Sequence, residues 1–94
     1  MIVTLSKPVT YCDRTYTELD IKLDELKGKD IIAVTRSVEA ASKRPVLSPN
    51  TDLDCLVAMA ARAARVDTEL LLELPVVDFT RVTTEVQAFL LGAG

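Results

Sequence analysis

The chain has 94 residues, room for one domain, and a domain of this size buries only about two-thirds of the surface that its unfolded chain exposes. Half of the residues are apolar (49%) but the aromatics are only Tyr11, Tyr16, Phe79 and Phe89, so a core has to come from Leu, Val, Ile and Ala, as in helices packed on a small sheet. A net charge of −3 without a long basic run, and apolar stretches well short of the ~20 residues of a membrane span, exclude general attraction to phosphate backbones and insertion in a bilayer, so no nucleic acid and no membrane is expected as partner.

The opening reads as β. Ile2, Val3 and Leu5 form an apolar run that stops at Ser6-Lys7-Pro8. Val9 and Tyr11, then Tyr16, Leu19 and Ile21 beyond Asp13-Arg14, predict two strands folding back on each other. Asp13-Arg14 lacks the glycine that favours two-residue hairpin turns, which predicts a longer or bulged turn from about Cys12 to Thr15. The stretch Asp24-Glu25-Leu26-Lys27-Gly28 reads as one helical turn closed by glycine.

A first long helix is expected from Lys29 to Lys43. Asp30 favours its positive end, Lys43-Arg44 complements its negative end, and Ile31, Val34, Val38 and Ala41 recur on one face. Pro45 stops it, and Val46 to Thr51 form a loop in which Asn50 or Thr51 caps the next helix. That second helix, Asp52 to Arg65, carries Leu53, Leu56, Val57, Ala60 and Ala64 on one side, with Cys55, Met59 and Val66 on an adjoining side. So wide an apolar arc predicts a central helix with several neighbours. A short third helix starts at Asp67-Thr68 and runs through Leu74 to Pro75, and a fourth spans Asp78 to Leu91. The expected fold class is α+β: a small antiparallel β-hairpin element in residues 1–23, then about four helices in residues 29–91. A frayed tail, 92–94, completes a single domain over 1–94.

Groups that carry chemistry are scarce. There is no histidine, which removes the commonest general base and metal ligand. Cys12 and Cys55 stand far apart without CxxC spacing and read as two small buried hydrophobes of a reducing compartment. Asp52 and Asp54 follow Pro49-Asn50, but the glycine and the closing glutamate of a calcium loop are missing, so capping is the better reading. Asp20, Asp24 and Glu25 are interleaved with Lys22 and Lys27, as on a solvated face. Three glycines, Gly28, Gly92 and Gly94, build no phosphate-cradling loop. The residues therefore predict no catalytic, metal or cofactor site, no cofactor and no enzyme, but a soluble intracellular domain that binds another protein. The candidate surface is the end of the fourth helix. Phe79, Val82 and Val86 anchor it, leaving Phe89, Leu90 and Leu91 as an apolar patch for a partner helix or for self-association. That these three fold back and complete the core stays open at this point.

The order of elements resembles the tail assembly chaperones of tailed bacteriophages, especially those of Mu-like phages. The resemblance rests on Leu5, Lys7-Pro8 and Tyr16-Thr17-Glu18-Leu19, then on Leu26, Gly28 and Asp30 opening the first long helix. It continues with Pro49-Asn50-Thr51-Asp52 before an alanine-rich helix, and with Leu70, Leu74, Asp78, Val82, Val86, Phe89 and Leu90 at the close. It covers nearly the whole chain, with one departure, Asp13-Arg14, where such proteins often carry glycine. The resemblance implies a non-catalytic chaperone of the host cytoplasm, absent from the finished virion. Its partner would be the phage tape measure protein, which it keeps soluble while tail tube protein polymerises around it; a homo-oligomer is also compatible. The alternative class is a small regulatory binding module of antitoxin or anti-repressor type. A carrier protein is disfavoured, because no attachment serine stands in an Asp-Ser-Leu context.

Overall fold

The computed structural model describes residues 1–92. Two strands, β1 (Ile2–Tyr11) and β2 (Arg14–Asp20), pair antiparallel, and a 3₁₀ turn at Leu23–Glu25 leads into four helices. These are α1 (Gly28–Ser42), α2 (Leu53–Ala64), α3 (Thr68–Leu72) and α4 (Val76–Leu90). The class is α+β, as the sequence predicts.

The hairpin departs from expectation at both of its irregular points. The turn is not long: Cys12 and Asp13 alone make it, both with positive φ (50° and 63°), the backbone of a type I′ turn. Asp tolerates the left-handed region better than most residues, so the turn closes without glycine. Cys12 therefore sits on the exposed tip and is not a buried hydrophobe, whereas Cys55 is fully buried. The irregularity lies instead within β1, where Leu5 to Pro8 stand opposite Thr17 alone, between the pairs Thr4↔Glu18 and Val9↔Tyr16. Ser6-Lys7-Pro8 thus bulges the strand without ending it. On β2 Leu19 is buried in the core and Tyr16 packs against its margin.

Gly28 opens α1; it does not close the preceding turn. The backbone N–H of Lys27 donates to Asp30 Oδ2 at 2.7 Å, and this carboxylate also takes Arg62 Nε at 2.7 Å, which ties α1 to α2. On α1 only Val34 is fully buried, with Ile31 and Val38 packed at the margin; Ala41 is exposed because the helix touches α2 along one narrow line.

The central position belongs to α2, which packs against α1, α3, α4 and the 3₁₀ turn. It buries Cys55, Leu56, Val57, Met59 and three alanines. Leu53, counted with that face in the sequence, is 55% exposed, since the first helical position turns outward. Asp52, not Asn50 or Thr51, is the N-cap: its Oδ1 accepts from Cys55 N at 3.2 Å. Helix α4 begins two residues earlier than predicted, directly after Pro75, whose fixed φ suits the cap position. Gly92 closes it with φ +76° and an N–H bond to Phe89 O at 3.1 Å, while Ala93 and Gly94 of the predicted tail lie outside the described residues. No helix of the described residues is long and apolar enough to cross a membrane.

Candidate functional site

The end of α4 is placed by contacts along its whole length. Val82 and Val86 are fully buried, and Phe79 packs at the edge of the core. At the N-terminal end Asp78 is completely buried and takes three bonds from Ser6: the backbone N–H reaches Oδ1 at 3.2 Å and Oδ2 at 3.0 Å, and the hydroxyl reaches Oδ2 at 2.8 Å. The carboxylate also sits in the first turn of α4, where the helix dipole favours negative charge. One turn later Arg81 Nη1 donates to the Thr4 carbonyl at 3.0 Å, so helix and bulged strand are bonded at two places. Towards the other end Gln87 Nε2 donates to the Asn50 carbonyl at 3.3 Å, fixing α4 against the loop before α2.

Sequence reasoning did not foresee the Asp78–Ser6 bond. Asp at a helix start is an ordinary signal, and nothing local distinguishes a buried one from a solvated one.

The three residues singled out in the sequence separate. Phe89 is 41% exposed and Leu91 60% exposed, whereas Leu90 is half-buried and packs against the core. Consecutive helical residues point about 100° apart, so a continuous row of three on one side is not what a helix delivers. Phe89 forms one wall of a shallow groove of about 300 Å³ with Met1, Ile21 and Leu23, edged by Asp24 and Glu85. Glu85 stands four residues before Phe89, on the same stripe of α4. Ile21 was read from the sequence as a strand residue and Leu23 was not singled out; the groove arises because the chain turns under α4 immediately after β2.

Other apolar side chains are exposed, among them Leu47, Leu72, Val76 and Val77. A second groove of about 480 Å³ runs between α1, α2 and α3, lined in part by Val38, Ala41, Val57 and Leu72. Among the described residues, the end of α4 is where an exposed aromatic ring adjoins an apolar groove.

Electrostatics is strongest elsewhere. Arg44 Nη1 meets Asp52 Oδ2 at 2.7 Å and its Nη2 meets Asp54 Oδ2 at 2.8 Å, joining the exit of α1 to the start of α2. The Arg44 guanidinium, with a smaller contribution from Cys55 N–H, holds the Asp52 carboxyl below the usual carboxylate range. The Lys27 N–H and then Arg62 do the same for Asp30. Burial pushes the Cys55 thiol up, which keeps it neutral and unreactive. The two arginine–carboxylate contacts tie helices together.

Fold and surface together define a small α+β protein with a closed helical core, a latched final helix and apolar side chains presented at that helix's end. Residues 2–91 match the family described as "Phage tail assembly chaperone proteins, E, or 41 or 14". The chain belongs to this family of phage tail assembly chaperones. No curated protein and no solved structure gives a significant match.

Proposed function

We propose that the chain binds the phage tape measure protein, keeps it soluble and promotes assembly of the tail tube around it, without catalysing a reaction. It would act in the cytoplasm of the bacterial host and leave before the virion is complete. Family membership supports the assembly role over that of a regulatory binding module. The observation that carries the reading to a surface is the exposure of Phe89 in the groove of Met1, Ile21 and Leu23, with Leu91 exposed two residues further on. An apolar seam of a long helix, which would aggregate if left in water, can lay its side chains into such a groove. Phe89 is the anchor in this arrangement, because large rings in partly desolvated pockets contribute most to binding.

The test is co-expression with the tape measure protein, comparing the natural chain with the variant Phe89→Ser/Leu91→Ser. Leu90 is left in place because it packs on the core. Co-purification and solubility of the tape measure protein are expected to be lost while the variant's own melting temperature changes by only a few degrees. Undiminished co-purification would move the binding surface elsewhere, first to the groove between α1 and α3.

A further inference from the structure

The two outer edges of the hairpin are unlike. On β1 the Thr4 carbonyl is occupied by Arg81, the Ser6 N–H by Asp78, and Pro8 has no N–H to offer. Together with the bulge, these contacts close that edge to any further strand. On β2 nothing comparable occurs: among the described residues, no hydrogen bond other than those of the ladder to β1 reaches the backbone of Arg14–Asp20. A seven-residue edge whose outer backbone groups have no partner among the described residues is a template for another strand.

The sequence of β2 is complementary to itself. Antiparallel pairing about a two-fold axis at Thr17 sets Arg14 opposite Asp20 of the second copy, and Tyr16 opposite Glu18. It is the register that uses all seven residues. Moving the axis to Glu18 would place two carboxylates face to face, and like charges directly opposite destabilise a sheet as opposite charges support it. Arg14 is available for the role: its guanidinium lies 5.2 Å from the Tyr16 ring centre, and it makes no ion pair among the described residues. Asp20 has only the amino group of Met1 at 3.8 Å, and half of its side chain is exposed.

We propose that two copies of this chain associate by antiparallel pairing of their β2 strands about Thr17, giving a four-stranded sheet with an Arg14–Asp20 pair at each end of the joint. The inference is independent of the tape measure reading, since it uses neither Phe89 nor Leu91. Sedimentation equilibrium of the natural chain should show a monomer–dimer equilibrium. Arg14→Asp or Asp20→Arg alone should shift it to monomer, and the double exchange Arg14→Asp/Asp20→Arg should restore the dimer. Melting curves would establish that each variant is folded. Hydrogen exchange of the unsubstituted chain gives a second reading: alternate β2 amides should become more protected as concentration rises. A monomer at all concentrations, a dimer indifferent to single reversal, a double exchange that fails to restore it, or β2 protection independent of concentration would each overturn the proposal.

Discussion

A carboxylate removed from water has to find its hydrogen bonds inside the protein, and Asp78 finds three of them on one residue, Ser6. A hydrogen bond to a charged group contributes about 1.5–3 kcal/mol, so Ser6→Ala, which deletes the hydroxyl and keeps the backbone N–H, should destabilise the fold by that amount. Urea unfolding measures it. A loss below about 0.5 kcal/mol would mean that the backbone N–H alone satisfies the carboxylate. The Cys12-Asp13 turn shows the limit of reading single residues. Absence of glycine pointed to a longer turn, yet the strand twist imposed by flanking pairs selects positive φ at both positions, and Asp13 accepts it. The burial of Asp78 was equally hidden, because its partner lies 72 residues away in the sequence. Local signals register what a residue tolerates; they do not register which distant group arrives beside it.

At the scale of elements the helical spacing carried most of the information. The faces containing Val34, Leu56, Val57, Ala60, Val82 and Val86 are buried as their periodicity predicts. Helix ends were less legible, since Asn50, Thr51 and Asp52 are all competent caps; Asp52 takes the position and also meets Arg44, which lies eight residues earlier. Leu56 is 4% exposed on the central helix, so Leu56→Ala should cost about 2–5 kcal/mol by equilibrium denaturation. A loss well under 1 kcal/mol would contradict the packing of α2. The carboxylates that bind α1 to α2 add a pH dependence. Asp30 and Asp52 are both depressed by their folded partners, so their contribution is present above the unfolded carboxylate value of about 3.9 and is lost as pH falls through the lower folded values. Stability should therefore be level from neutrality to about pH 5 and decline below about pH 4, less steeply in Asp52→Asn. Denaturation midpoints that fall equally in both proteins would remove Asp52 from this account.

Across the whole molecule the buried residues of the hairpin, the 3₁₀ turn and all four helices form one cluster. Far-ultraviolet circular dichroism and tyrosine fluorescence should accordingly report one coincident unfolding transition, and two separated transitions would divide the hairpin from the helices as independent units. The fold class and the tail assembly family were legible in the sequence because they depend on the order and spacing of elements over nearly the full chain. The surface at the end of α4 was legible only in outline: Phe89 and Leu91 are outward, but Leu90 is claimed by the core, and the groove beside Phe89 is assembled from strand-end residues that no helical pattern announces.

The bulge that lets Ser6 reach Asp78 also decides how far an assembly built from this sheet can extend. A sheet with two open margins can recruit strands without limit, as fibrils do. Here one margin is shut by α4, and a joint at the other consumes the remaining opening in both participants, so accretion of this kind stops at a pair. For a member of a tail assembly chaperone family, a built-in stop against forming filaments of its own keeps the helper separate from the structure whose assembly it serves.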